Sequence, residues 1–119
     1  YYMLTPRTFS AIHRLKADEV WHFYLGDPVE FLLLRPGGGG GETVAVGSDL
    51  AAGMRPQVVV PKGVWQGARL RGGGPHGFAL MGTTMAPGFT PSEFIIGKRA
   101  SLTSDYPAYA GLIRELTRT

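Results

Sequence analysis

The chain contains no cysteine, which excludes disulfide bonds, thiolate catalysis and cysteine-ligated zinc together. It contains no asparagine either, so it carries no Asn-linked glycosylation sequon. No stretch approaches the run of about 18 apolar residues that marks a membrane-spanning helix. Charge is sparse. Twelve Lys and Arg stand against nine Asp and Glu, and the cations are scattered from Arg7 to Arg118 with no run longer than Lys98-Arg99. A nucleic-acid surface gathers its cations into a patch or stripe, so neither a nucleic-acid nor a membrane partner is expected. No signal peptide is visible, and a cytoplasmic location is the expectation. The first residue is Tyr1 rather than Met, which leaves open a natural start before it.

What is present is enough for one domain spanning 1–119, with 44% hydrophobic residues to build a core. Eighteen glycines and nine prolines argue against a helical bundle and for short strands joined by turns. Apolar runs predict strands at Tyr1–Leu4, Phe9–His13, Val20–Leu25, Val29–Leu34, Thr43–Val46, Gln57–Val60, Val64–Leu70, Phe78–Met85 and Glu93–Ile96. Gly26-Asp27-Pro28, Pro61-Lys62-Gly63 and Ala86-Pro87-Gly88 supply breaks between them. Val20–Leu25 and Val29–Leu34 are apolar at nearly every position. Such strands are covered on both faces, by a second sheet or by a partner, so a homodimer is expected.

Near the C-terminus the period changes. Ser104 or Asp105 can cap a helix that Pro107 opens, with Tyr109, Leu112, Ile113 and Leu116 forming a stripe that packs on the outside of the barrel. Gly47–Arg55 reads either as one helical turn or as an irregular loop. The five glycines Gly37 to Gly41 lead into a strand-like segment, so they read as a hairpin tip rather than a phosphate-cradling loop. Gly72, Gly74 and Gly77 match G-x-G-x-x-G. Pro75 interrupts them and a strand follows, which makes them a turn and not a dinucleotide site.

Three histidines are candidates for chemistry: His13, His22 and His76. His76 falls in the glycine-proline turn and is expected to be solvated. His13 ends one strand and Glu19 begins the next. A hairpin connection through Arg14–Asp18 would set the two nearly opposite on neighbouring strands, as a metal pair, an acid–base pair or a structural contact. Alternation puts Glu19, Trp21, Phe23 and Leu25 on one face of the second strand, and His22 and Tyr24 on the other. A carboxylate facing a barrel interior is costly unless paired or working, which favours a functional role for the pair. Gln66, just after the Pro61-Lys62-Gly63 turn, can aim its amide into the same cavity.

These runs resemble the two motifs of the cupin superfamily. His13, Glu19 and Gly26 stand at the first His, the Glu and the final Gly of the first motif. Pro61 and Gly63 match the second motif, with Gln66 at the place of its metal-binding His. Leu15 replaces the second His and Leu70 the terminal Asn, so only His13 and Glu19 remain of the usual ligands. Phe9–Leu34, Ser48–Leu70 and Gly82–Phe94 together resemble a small cupin subfamily likened in fold to the dTDP-sugar epimerases.

The resemblance implies an all-β, cupin-type double-stranded β-helix (a jelly-roll barrel) with one C-terminal α-helix. It also implies a strand before Tyr1 in comparable members, and hence a shortened barrel, a fragment, or a fold completed by another element. For function it implies a small metabolite held inside the barrel. The leading expectation is a sugar epimerase- or isomerase-like enzyme with His13 and Glu19 catalytic and Trp21, Phe23, Trp65 and Gln66 binding substrate. One alternative is a weak divalent-metal enzyme with His13, Glu19 and Gln66 around the ion. The other is a non-enzymatic metabolite-binding barrel.

Overall fold

Each of the nine expected strands is present in the computed structural model, which describes residues 1–88 and 93–118. They are β1 (Tyr2–Leu4), β2 (Phe9–Arg14), β3 (Asp18–Gly26), β4 (Val29–Leu34), β5 (Gly41–Val46), β6 (Gln57–Val60), β7 (Trp65–Leu70), β8 (Ala79–Ala86) and β9 (Ile95–Ile96). The segment Gly82–Phe94 that carries part of the family resemblance includes residues 89–92, which lie outside the described residues. Two antiparallel sheets form, in the orders β1-β8-β3-β6 and β5-β4-β7-β2-β9. This is the expected jelly-roll arrangement.

The main core lies between the sheets. Trp21, Val58 and Met81 from the first sheet meet Phe31, Val44 and Ala68 from the second. A second core lies outside the five-stranded sheet. There Ile12, Leu32 and Leu34 pack beneath Leu102, Tyr106, Ile113 and Leu116 of the C-terminal segment. Strand β4 is therefore apolar on both sides because Val29, Phe31 and Leu33 face the other sheet while Leu32 and Leu34 face the helices. The chain itself supplies the second cover that the sequence also allowed to a partner. Among the described residues nothing comparable covers the outer face of β3, where Tyr24 is 55% exposed.

The C-terminal segment contains α1 (Arg99–Asp105), a 3-10 turn at Pro107–Tyr109 and α2 (Ala110–Glu115). The expected stripe packs as foreseen, with Ile113 and Leu116 fully buried. Ser104 and Asp105 are not its caps. They lie inside α1, and no side chain caps the turn that follows. The break falls at Tyr106, whose φ of −133° is non-helical. A residue preceding proline is driven out of the helical region by the pyrrolidine ring, and Pro107 has no N–H to continue the ladder. The hydroxyls of Tyr106 and Tyr109 donate to the carbonyls of Arg35 and Gly41, which fastens this segment to the β4–β5 hairpin.

The glycine-rich stretches behave as turns. Pro36–Gly38 forms a 3-10 turn in the β4–β5 hairpin. Between β7 and β8, the Asp27 carboxylate accepts from the backbone N–H groups of His76 (3.1 Å) and Gly77 (2.7 Å), so that loop is organised around a buried acid. Gly47–Arg55 takes the helical-turn alternative, as a 3-10 turn at Leu50–Ala52 capped by the Asp49 side chain. No helix among the described residues is long and apolar enough to cross a membrane.

Candidate functional site

The segment after β2 does not form a hairpin. Strand β2 pairs with β7 and β9, whereas β3 pairs with β6 and β8 in the other sheet. The connection Leu15–Ala17 crosses from one sheet to the other, held by the Leu15 carbonyl accepting from Gly63 N (2.8 Å) and Asp18 Oδ1 accepting from Lys62 N (2.8 Å). His13 and Glu19 therefore do not sit on neighbouring strands. They project from opposite sheets and line one cavity of about 580 Å³ between them. The two side chains share a cavity lining, but the hairpin that the sequence suggested between them does not form.

A bulge aims His13. Along β2 the register with β7 shifts between Ser10 and His13. Strict alternation would send Ser10 and His13, three positions apart, to opposite faces. The extra residue instead turns Ser10 and His13 to the cavity and Ile12 to the helices. The backbone groups released by the bulge are satisfied elsewhere: Ile12 N–H donates to Leu116 O (2.9 Å), and Ile12 O accepts from Gly97 N (2.7 Å).

The His13 ring is fixed by its own strand. Nδ1 lies 2.7 Å from the Ala11 carbonyl oxygen. A carbonyl can only accept, so Nδ1 carries the proton, and Nε2 of the neutral ring keeps its lone pair. Nε2 has no hydrogen-bond partner among the described residues. Phe94 stacks on the imidazole at 4.7 Å between centroids.

Glu19 sits in a buried polar chain. Its Oε1 accepts from Gln66 Nε2 (2.9 Å) and its Oε2 from Thr83 Oγ1 (2.5 Å). Gln66 Oε1 in turn accepts from the Trp21 indole N–H (2.9 Å). Glu19, Trp21 and Gln66 are all under 6% exposed. An uncompensated carboxylate at such depth is costly, and this chain compensates it with two donors. Gln66 is the cross-strand partner of His13, and it lies behind the cavity surface as the piece that ties Trp21 to Glu19.

The remaining candidates divide. Trp21 lines the cavity, against Tyr2 at 5.2 Å and Phe31 at 5.4 Å. Phe23 packs against the inter-sheet core. Trp65 belongs to the outer core beneath the helices, with the Arg14 guanidinium 4.8 Å above its ring. His22 turns to the outer face, 3.4 Å from Thr84 Oγ1, as alternation foresaw. Leu25 does not share the face of Glu19. A register shift between Phe23 and Leu25 leaves it 54% exposed.

Thr83, Phe94 and Arg118 are among the cavity residues that the sequence did not single out. Thr83 was detectable as the one polar residue in the inward series Ala79, Met81, Thr83 and Met85. Phe94 and Arg118 gave no such signal, because tertiary packing alone brings them to the rim.

A bound ion would need several donor atoms, and the arrangement offers few: His13 Nε2 and the lone pairs left on Glu19. Both Glu19 oxygens and the Gln66 oxygen already accept hydrogen bonds, and apolar Leu15 lines the cavity wall. Among the described residues no group of three or more His, Cys, Asp or Glu is placed to hold a metal.

A family model described as the cupin superfamily (DUF985) matches residues 1–96. A solved protein from Shewanella oneidensis is 36% identical, with 98% of this chain and 71% of that one covered and a TM-score of 0.87. A hypothetical protein from Leishmania major is 26% identical over 98% of this chain and 73% of its own, with a TM-score of 0.90. A TDP-quinovose 3,4-ketoisomerase from Campylobacter jejuni is similar in fold, at 14% identity, covering 95% and 72%, with a TM-score of 0.57. No curated protein gives a significant match.

Proposed function

The chain belongs to the DUF985 family of the cupin superfamily, and on that footing we propose that its inter-sheet cavity binds a sugar-like metabolite and moves a proton next to a carbonyl, as an epimerase or isomerase does. The observation that carries this reading is His13, whose Nδ1–H is committed to Ala11 O while Nε2 keeps a lone pair in a cavity shared with a buried carboxylate. A general base needs both a defined tautomer and a lone pair within reach of its substrate.

In the proposed step, a C–H proton beside the ligand carbonyl passes to His13 Nε2. The C–H electron pair moves into the carbonyl and gives an enolate. Protonation of the enolate carbon by water from the opposite face, with His13 losing its extra proton to solvent, inverts the centre. Where the ligand has a hydroxyl on that carbon, passage of the hydroxyl proton to the enolate oxygen and return of the His13 proton to the former carbonyl carbon moves the carbonyl. Glu19 places a negative charge across the cavity from the imidazolium that forms, and its position is held by Gln66 and Thr83. Trp21 and Phe94 supply aromatic walls to the cavity. The ketoisomerase likeness supports the reading at the level of fold, since a barrel of this kind hosts the isomerisation of a keto sugar there. Among the described residues no three His or carboxylate groups stand together to hold a resident metal, and no step runs through one.

The test is NMR in deuterium oxide with a panel of keto sugars and sugar nucleotides. Deuterium should enter the position beside the carbonyl of a ligand that binds. His13→Gln should slow that exchange about a hundredfold, the low end of what a positioned base contributes, with binding retained. A bound keto sugar that never exchanges rules out proton transfer and leaves a metabolite-binding barrel.

The reading includes a homodimer formed through the outer face of the four-stranded sheet. Met3, Tyr24 and Val59 on that face are each more than half exposed, with Val20 and Leu80 beside them. Light scattering at micromolar concentration should give a dimer, and Val59→Arg should convert it to monomer by burying an unpaired charge. A monomeric parent protein removes the dimer from the proposal.

A further inference from the structure

Among the described residues, the lining of the cavity that holds His13 and Glu19 carries one side chain of permanent positive charge, and it comes from the segment that follows α2. Arg118 places its guanidinium 4.6 Å from the Phe9 ring centroid, at the rim of the same cavity. The backbone that presents it is fastened at several points. Leu116 O accepts from Ile12 N–H (2.9 Å), within the β2 bulge that aims His13. Arg99 donates from Nε to Thr117 Oγ1 (2.8 Å) and from Nη2 to Thr117 O (2.5 Å) and Arg114 O (3.1 Å). Thr117 Oγ1 also donates to Ile113 O (2.7 Å), and Thr117 is buried. Arg118 is thus carried on an anchored residue and laid against an aromatic face.

The other arginines with polar contacts are engaged. Arg69 pairs with Glu30 and Glu115, Arg99 closes the end of α2, and Arg35 donates to Gly39 O. Arg118 has no carboxylate partner among the described residues, and its N–H groups find no acceptor there. A guanidinium held by stacking keeps its fork of donors available for a planar or tetrahedral anion.

We propose that Arg118 binds an acidic group of the cavity's ligand, a phosphate or a carboxylate, so that the substrate is an anionic sugar-like metabolite. Its acidic group sits at the rim on Arg118, and its carbonyl end reaches inward to His13. The inference deepens the proposed function and rests on it for the cavity being the ligand site. Glu19 does not oppose it, because that carboxylate lies deeper, occupied by Gln66 and Thr83. Arg99 is a positioning residue in this scheme, acting only through Thr117.

The test uses three probes sharing one ring: glucose 6-phosphate, glucuronate and glucose. NMR titrations at low salt should show one anion binding about tenfold tighter than glucose, the scale of one exposed charge-assisted contact. The stronger of the two identifies the phosphate or the carboxylate as the group recognised. The preference should shrink with added salt, disappear in Arg118→Met and survive in Arg118→Lys. Arg118 is exposed, so neither variant threatens the fold. Absence of any preference for the anions, including failure of both to bind, overturns the inference, as does a preference that persists in Arg118→Met. Failure of the catalytic reading looks different. Anions would then be preferred while no deuterium enters a bound keto sugar, whereas exchange into a neutral keto sugar that binds as tightly as its acidic counterpart would sink the inference alone.

Discussion

Replacing Gln66 with Leu should lower stability by about 3–5 kcal/mol and the melting temperature by about 10–20 °C. The side chain is 2% exposed, and its loss strands two buried groups at once. The Trp21 indole N–H loses its acceptor, and Glu19 Oε1 loses one of the two donors that compensate its charge. An orphaned buried polar group costs about 1–3 kcal/mol, and more when charged. Leu has nearly the volume of Gln, so packing changes little and the loss reports on the hydrogen bonds. Urea or thermal melts of three proteins settle it. Gln66→Leu with Glu19→Leu should be more stable than Gln66→Leu alone, because the second change removes the charge left unpaired. A loss below about 1 kcal/mol for Gln66→Leu would mean that cavity water replaces the amide, and the polar chain would then not be a fixed structural unit.

The strands were legible because each is a short apolar run bounded by residues with a turn preference, so local signals agree with tertiary need. Val29–Leu34 and Gln57–Val60 form with the limits the pattern predicts. The site was legible in its members but not in its wiring. Local reasoning joins His13 to Glu19 through the nearest connection, whereas the jelly roll sends their strands to different sheets. The bulge that turns His13 inward is stabilised by Leu116 O, a partner at the far end of the chain, which no window around His13 contains. Thr83 reaches Glu19 only through the β3–β8 register, and Trp65 leaves the site because β7 alternates Gln66 inward and Trp65 toward the helices. Non-local pairing decides each of these outcomes, and pattern alone does not encode it.

Gly26, by contrast, was singled out by motif, and its structural reason predicts a second large effect. It ends β3 at φ +108°, a conformation that residues with a Cβ rarely adopt. A Cβ there would fall on the Phe78 carbonyl oxygen, closer than a carbon–oxygen contact allows. That oxygen also accepts from Asp27 N–H at 2.7 Å, so it cannot retreat freely. Gly26 is paired with Ala79, at the end of the β3–β8 ladder that continues to Thr83 and Glu19. Gly26→Ala should therefore cost about 3–5 kcal/mol, from about 1–2 for the left-handed backbone and the rest for displacing β8. Gly73→Ala is the matched control, since Gly73 has φ +84° with open space around it and should lose only the backbone part, about 1–2 kcal/mol. Chemical denaturation of the two variants separates strain from crowding. Equal losses would show that β8 yields to the methyl group, and the glycine at the end of this motif would then be required for its backbone angle alone.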